Sequence, residues 1–356
     1  MPARLRVAIV GCGIGASHAQ GYTALPEQYD LAAICDIDEP KARQFASNFG
    51  IEHVITSFDA LCERNDLDII DVCTPPHLHV PQVLQVIASG KHAICEKPIG
   101  GSVQDVDRLI AAAAQSGKQV MPIFQYRFGN GLQKLKHLIA AGIAGRAYTA
   151  TIETHWRRRA GYYDLPWRGK WKTELGGALL GHAIHAHDIL NYVLGPTRRV
   201  YCHATTLVNA IEVEDTAAAA LEMADGSLAS LSVTLGASDE ISRHRYVFSG
   251  LTAESNRHPY ASGLGDPWTF TGDTPAINQQ INDVLASFEP QPEGFAGQFL
   301  RFSHALANGT LPPVTLADAR ASLELVTAFY DSARRRQPVD LPITADHPLY
   351  ASWLPA

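Results

Sequence analysis

Several absences narrow what this chain can be. No two of its six cysteines form a C-x-x-C pair; they stand singly at 12, 35, 62, 73, 95 and 202, several inside apolar runs such as "LAAICD" and "DIIDVCTP". That usage argues against a disulfide frame or a zinc site and for reduced, buried thiols. No stretch is long and apolar enough to span a membrane. Basic tracts are short, "WRRR" at 156–159 and "RRR" at 334–336, and the net charge is -7, so no nucleic-acid partner is expected. Internal repeats and low-complexity segments are missing too. With 18% charged and 46% hydrophobic residues, the chain is neither disordered nor fibrous in composition. The opening "MPARLRVAIVGCGIGASHA" has the outline of a secretory leader, with Arg4 and Arg6 before an apolar run. That run breaks at Gly11, Gly13 and Gly15, so it reads as a buried first strand, and a cytoplasmic location is expected. The 356 residues suffice for two domains with full cores.

What is present begins with "LRVAIVGCGIGASHAQGY", a β-branched strand, a glycine-rich turn and a helix from about Ile14. Gly11 and Gly13 take the first two places of a G-x-G-x-x-G/A pattern and Ala16 the third. In such a turn the first glycine permits the tight bend and the second lets the backbone approach a pyrophosphate. The third small residue lets helix pack on strand, while the helix N-terminus faces the phosphates. Cys12, Ile14 and Gly15 belong to the same turn. A second strand, "YDLAAICD", ends in Asp36, followed by Ile37, where a carboxylate can take the ribose hydroxyls of an adenine dinucleotide. Asp is also a common turn residue or helix cap. Asp38 and Glu39 follow with no arginine before Arg43, so a 2′-phosphate meets negative charge; NAD is expected over NADP.

Further strands and helices alternate through "DIIDVCTPP", "HVPQVLQVIASG", "HAICEKPIG", "SVQDVDRLIAAAAQSG" and "QVMPIF". Alternation of this kind predicts a parallel sheet with helices on both faces. Its strand C-terminal ends share one rim, and Thr74, Pro75, His79, Glu96, Lys97 and Gln125 fall there, where ligands of such sheets lie. Lys97 leaves a strand beside Glu96 and before a proline. It is expected to be held at the rim, and beside an oxidised nicotinamide its ammonium form is disfavoured, which suits acid/base work. An ordinary salt bridge with Glu96 is the other reading.

These motifs, with "VCTPPHLHV", "EKPIG", "YYDLPWRGKWKTELGGALLGHAIHAHDILNYVLG" and "LADARASLELVTAFYDSARRRQPVDLP", resemble the glucose-fructose oxidoreductase and inositol dehydrogenase family over nearly the whole chain. The resemblance implies a Rossmann dinucleotide-binding domain, residues 1–124, and a C-terminal α+β domain, residues 125–356, with a large, predominantly antiparallel open sheet. It implies oxidation or reduction of a ring hydroxyl of a sugar, sugar derivative or cyclitol with a nicotinamide cofactor, in a homodimer or homotetramer. Lys97 matches the family's E-K-P lysine, beside the nicotinamide and the reacting hydroxyl. Arg168 and Trp171, in "PWRGKW", match residues lining cofactor phosphates or substrate.

The segment "GGALLGHAIHAHDIL", 176–190, gathers His182, His185, His187 and Asp188. Read as a regular helix, His182, His185 and Asp188 form a ridge and His187 points away. A metal site, a catalytic base and core histidines are three readings of such a cluster, and i, i+3 histidines could supply two ligands. The resemblance assigns His185 the acid/base role, for which an imidazole of ordinary pKa about 6.5 is suited, and no metal. His187 is expected in the core. Gly181 falls where the family carries an Asp, or in some sugar-acting members an Asn. His182 is one candidate substitute; room for a bulkier substrate and a different kind of activity are the others.

Downstream, "RVYCHATTLV", "EDTAAAALEMADGSLASLSVTLGA" and "RHRYVFSGLTAE" read as strands, with a hairpin at Asp225 and Gly226. The tract "SNRHPYASGLGDPWTFTGD" reads as a long loop. Aromatic faces stack on sugar rings and cations bind their hydroxyls or acid groups, so Tyr163, Trp171 and Lys172 join His182 and His185 as substrate-contact candidates. The alternative for any of these aromatics is core packing. The expected activity is an NAD-dependent dehydrogenase acting on a carbohydrate-like small molecule. Transient oxidation followed by elimination, giving lyase or glycosidase chemistry, and a non-catalytic NAD-binding regulator are the alternatives.

Overall fold

The computed structural model describes residues 4–260 and 265–355. The chain divides into two compact units, one of residues up to Gln125 with Gly294–Arg320, the other of Tyr126–Glu293 with residues from Ala321 onward.

The first unit runs β1 (Leu5–Val10), α1 (Gly15–Thr23), β2 (Tyr29–Cys35), α2 (Glu39–Phe49), β3 (His53–Ile55), α3 (Phe58–Cys62), β4 (Ile69–Val72), α4 (His79–Ala88), β5 (His92–Cys95), α5 (Val103–Ser116) and β6 (Val120–Pro122). Among the described residues its strands form one parallel sheet in the order β3-β2-β1-β4-β5-β6. Helices cover such a sheet on both faces, so the inner strands read as continuous apolar runs. β4 is buried at every position, including Asp71. Helix boundaries follow local chemistry. The Asp38 carboxylate accepts from Lys41 N–H to cap α2, Ser102 accepts from Asp105 N–H to cap α5, and Gly50 and Gly117 end these helices in left-handed conformation.

The second unit continues with α6 (Asn130–Ala140), β7 (Ala147–Arg157), α7 (Trp171–Glu174), a π-helical turn (Ala178–His182) and α8 (Ile184–Leu194). Strands β8 (Thr197–Thr205), β9 (Thr216–Met223), β10 (Leu228–Thr234), β11 (Gly236–Phe248), β12 (Leu251–Glu254) and β13 (Thr269–Gly272) follow, then α9 (Pro275–Leu285). Helix α10 (Gly294–Asn308) returns to the first unit, α11 (Leu316–Arg335) spans the boundary, and β14 is Val339–Asp340.

The second sheet has the order β13-β12-β11-β7-β10-β9-β8-β14. Its pairings are antiparallel except β10 with β7. The expected hairpin joins β9 and β10, where Gly226 adopts φ 84 and Ser227 N–H binds the Asp225 carboxylate. The tract expected as one loop is corrected at its end: residues 269–272 are the edge strand β13, paired in register with β12. A polar and aromatic run this short carries too little alternation to register as a strand. Residues 261–264 of that tract lie outside the described residues. No helix among the described residues is long and apolar enough to cross a membrane.

Candidate active site

The turn after β1 is shaped by contacts that only glycine tolerates. Gly11 has φ 101, and a Cβ there would lie 2.7 Å from the Cys73 carbonyl oxygen. A Cβ on Gly13 would meet nothing within 4 Å among the described residues, so this position presents bare backbone outward. The close approach of helix to strand is made at Gly15, where a Cβ would lie 2.8 Å from Ile9 Cγ2. Ala16, expected in that packing role, is only half-buried. No acidic residue stands in the first turn of α1, which leaves its N–H groups unopposed toward an anion.

Asp36 closes the turn from β2. Its carboxylate accepts from Cys12 N–H at 2.8 Å and Asp38 N–H at 3.1 Å. Partial burial works to raise its pKa, but these donors outweigh it and hold the group below the ordinary carboxylate value. Ile37 beside it is 94% exposed. An outward glycine turn, an unopposed helix end and an ionised carboxylate together fit an adenine dinucleotide.

On the same rim, the Thr74 hydroxyl donates to Gln82 Oε1 at 2.6 Å. Pro75 precedes the turn into α4. His79 is buried, its two ring nitrogens each 2.7 Å from the carbonyl oxygens of Pro98 and Thr74. Burial holds its pKa below the ordinary histidine value despite these carbonyls. It brackets the exits of β4 and β5. Gln125 is buried, and its Oε1 has no hydrogen-bond partner among the described residues.

Lys97 is half-buried just after β5, and behind it lies a network the sequence reading missed. His18, fully buried on α1, places Nδ1 2.7 Å from Asp71 Oδ2 and Nε2 3.1 Å from Glu96 Oε1. Glu96 Oε2 in turn accepts the Lys97 N–H at 3.0 Å. Burial alone disfavours a charged imidazole, but the Asp71 carboxylate and the Cys73 thiol outweigh it, and the His18 pKa rises well above its ordinary value. A protonated ring donates from both nitrogens and ties Asp71 to Glu96, which fixes the turn carrying Lys97. The Tyr22 hydroxyl also donates to Asp71, at 2.8 Å, and Phe295 and Phe299 of α10 pack on His18. His18, Asp71 and Cys73 bring ligand-type atoms within 4.8 Å of one another, but these atoms are engaged in hydrogen bonds among themselves. The available signals were a charged residue inside an otherwise apolar strand, "DIIDV", and a histidine on the inner face of the first helix.

In the second unit the histidine segment is not one regular helix. Glu214, buried, accepts from Gly177 N–H at 3.1 Å, Leu179 N–H at 2.9 Å and the Tyr330 hydroxyl at 3.1 Å. A Cβ on Gly177 would lie 1.9 Å from the Glu214 carbonyl oxygen, and one on Gly176 2.4 Å from the Tyr330 hydroxyl, so the glycine pair is required by packing. The π turn begins there, and α8 starts after Ala183. The expected ridge of His182, His185 and Asp188 is therefore corrected: His182 lies on the π turn and the others on α8. The π turn changes the angular step that a 3.6-residue helix assumes.

Each residue of the segment has its own surroundings. His182 Nε2 lies 3.1 Å from the Tyr162 hydroxyl, with the Trp156 ring edge beside it. The buried His185 ring stacks on Tyr126 with centroids 4.4 Å apart. His187 is fully buried, donates to the Leu179 carbonyl at 3.0 Å, and burial pushes its pKa down to about 3. Asp188 is held by a buried two-pronged pair with Arg127, at 2.7 Å and 2.5 Å.

The aromatic and basic loop gathers on the His182 side. Arg168 stacks over Tyr162 and Trp167, its carbon 3.9 Å and 4.2 Å from the ring centroids, and Arg158 lies 4.8 Å from the Tyr162 centroid. Tyr163 is half-buried, with its ring edge against Tyr162, and burial raises its pKa. Trp171 donates its indole N–H to the Glu212 carbonyl at 3.0 Å and packs on Tyr330, while Lys172 is exposed. The structure thus groups Tyr163, Arg168 and His182 around Tyr162, with Trp171 bound separately to Glu212.

A Rossmann sheet with a dinucleotide cradle, joined to a histidine-bearing unit built on a mostly antiparallel sheet, defines a nicotinamide-dependent dehydrogenase of two units. Residues 5–124 match the oxidoreductase family's NAD-binding Rossmann fold and residues 132–253 the GFO/IDH/MocA C-terminal domain, and the chain belongs to that NAD-dependent dehydrogenase family. It is 24% identical over 352 residues to the uncharacterized oxidoreductase YrbE of Bacillus subtilis (strain 168), covering 97% of this chain and 98% of that one. It is 30% identical over 193 residues, 54% of each chain, to the D-glucoside 3-dehydrogenase of Escherichia coli (strain K12). The crystal structure of the WlbA dehydrogenase from Bordetella pertussis, in complex with NADH and UDP-GlcNAcA, superposes with a TM-score of 0.84 at 27% identity, covering 96% of this chain and all of that one.

Proposed function

We propose that the protein transfers a hydride between NAD and a ring hydroxyl of a sugar, sugar derivative or cyclitol. The observation that carries the reading is the buried Asp71–His18–Glu96 network, which fixes the Lys97 turn on the same sheet rim as the dinucleotide cradle. A structural salt bridge at the surface does not call for a protonated histidine buried between two carboxylates.

In this reading NAD supplies the hydride acceptor at the oxidised carbon. Gly11–Gly15 and Asp36 hold the dinucleotide, with Ile37, Thr74, Pro75, His79 and Gln125 forming its surroundings. Lys97 donates a hydrogen bond to the reacting oxygen and stabilises charge developing there, and His185 takes the hydroxyl proton. The alcohol loses one hydride and one proton and becomes a carbonyl. Tyr163, Trp171 and Lys172 contact substrate, and Arg168 serves through the side-chain cluster around Tyr162. The relatives support a carbohydrate: one is a D-glucoside dehydrogenase, and another is described with a nucleotide-sugar acid.

The test is nicotinamide absorbance of the purified protein with NAD and a panel of sugars, sugar acids, nucleotide sugars, cyclitols and aryl glycosides, with product analysis in the same wells. NADH accumulating with one ligand class and the matching ketone as product is the expected result. Substrate consumed with no net NADH would replace the proposal with oxidation followed by elimination. NAD binding with no consumption of any class would replace it with a regulator.

A further inference from the structure

Position 181 lacks the acidic side chain that the family resemblance leads one to expect, yet its surroundings do not lack a carboxylate. Among the described residues, a Cβ built on Gly181 finds one neighbour within 4 Å, Glu174 Oε1 at 3.9 Å. Glu174 is 4% exposed and comes from the end of α7. Such a buried carboxylate needs charged or hydrogen-bonding partners. Arg168 Nη1 donates to its Oε1 at 3.3 Å, and Gly169 N–H donates to its Oε2.

The connection continues to a site histidine. Arg168 Nη1 also donates to the Tyr162 hydroxyl oxygen, which lies 3.1 Å from His182 Nε2. A guanidinium only donates, so the Tyr162 oxygen accepts from Arg168, which leaves its own hydrogen for His182 Nε2. That polarity holds His182 in the tautomer with its proton on Nδ1 and its lone pair toward Tyr162. Arg158 and Tyr163 also face Tyr162.

We infer that Glu174 is the carboxylate that serves this site in place of a side chain at position 181, as a positioning residue that acts through Arg168 and Tyr162 to orient His182. The inference rests on the dehydrogenase reading for its effect on turnover, but its effect on His182 stands apart from that reading. A Cβ at 181 would stand in ordinary contact with the Glu174 carboxylate, so an acidic side chain extending from that position would meet it.

The experiment uses the full-length protein. Glu174→Gln should lower kcat by up to about a hundredfold, the scale of a misplaced reacting group, and leave NADH affinity unchanged. Gly181→Asp in the Glu174→Gln background should recover much of that loss, whereas Gly181→Asp alone should impair the enzyme by setting two carboxylates side by side. Imidazole nitrogen shifts of His182, assigned by their loss in His182→Gln, should show the Nδ1-H tautomer in the parent and a tautomer mixture in Glu174→Gln. This readout needs no turnover, so a parent without activity on any sugar would sink the dehydrogenase reading and leave the inference to be judged on the tautomer. An unchanged tautomer in a folded Glu174→Gln protein would overturn it, as would a loss of kcat that Gly181→Asp does not recover.

Discussion

Replacing Asp36 by alanine should convert cofactor preference, and the structure sets the size of the change. Two of the roughly four acceptor positions of a carboxylate are taken by Cys12 and Asp38 N–H, which leaves about two for ribose hydroxyls. A hydrogen bond to a charged acceptor contributes about 1.5–3 kcal/mol, so loss of one such bond weakens NAD by roughly 10- to 100-fold. For NADP the same substitution removes repulsion. Two unit charges 4 Å apart in water repel by about 1 kcal/mol, and a phosphate ester carries nearly two, so relief amounts to about 2 kcal/mol or roughly thirtyfold. The ratio of NADPH to NADH dissociation constants should therefore fall by at least about a hundredfold, more at low salt than at high. Isothermal titration with both reduced cofactors at fixed ionic strength measures it. The two backbone N–H groups left without Asp36 cost about 1 kcal/mol each, which lowers Tm but does not alter a ratio of affinities. An unchanged ratio in a folded Asp36→Ala protein would refute the assignment of Asp36 to the ribose.

Lys97→Ala should reduce turnover by about 100- to 1,000-fold, the range for loss of a donor that stabilises developing charge, while NADH titration gives an unchanged affinity; near-parental turnover would end its proposed role. Glu214 has a pKa pushed by burial from 4.5 up to about 7, against the pull of its hydrogen-bond donors. A group raised in the folded state stabilises most below its unfolded pKa, so this contribution declines as pH rises from 4.5 to about 7, by about 3 kcal/mol in all. Glu214→Gln should flatten that part of the Tm-against-pH curve, and parallel curves for the two proteins would contradict it. His187 has the opposite sign: depressed from 6.5 to about 3, its contribution is full above 6.5 and is lost as pH falls toward 3. His187→Leu should remove that acid sensitivity, cost about 1 kcal/mol for the lost bond to Leu179, and leave the pH profile of turnover in place; a shifted profile would make His187 part of the chemistry.

The parts of the molecule legible in the sequence are those with short-range causes. The glycine turn, the alternation of strands and helices, the Asp36 terminus of β2 and the Asp225–Gly226 hairpin each follow from a local pattern. The edge strand β13 was not legible, because it is short and owes its pairing to β12 rather than to its own periodicity. The π turn was not legible either, since Glu214, 37 residues from Gly177, and Tyr330, 153 residues from it, impose that backbone on a sequence that otherwise suits a helix.

The sequence by itself determined the glycine turn, the parallel sheet and the β9–β10 hairpin, because turn geometry and hydrophobic alternation act over a few neighbours, whereas the large antiparallel sheet and the proposed role of His185 were legible through the family resemblance. Only the tertiary structure decided which groups stand behind them. His18 meets Asp71 53 residues away and Glu96 78 residues away, and α10 returns from late in the chain to pack on His18. At position 181 the missing carboxylate is answered by Glu174 across an irregular backbone. A hydrogen bond depends on distance and direction in space, and those are set by how the strands and helices pack, not by the order in which the residues are written.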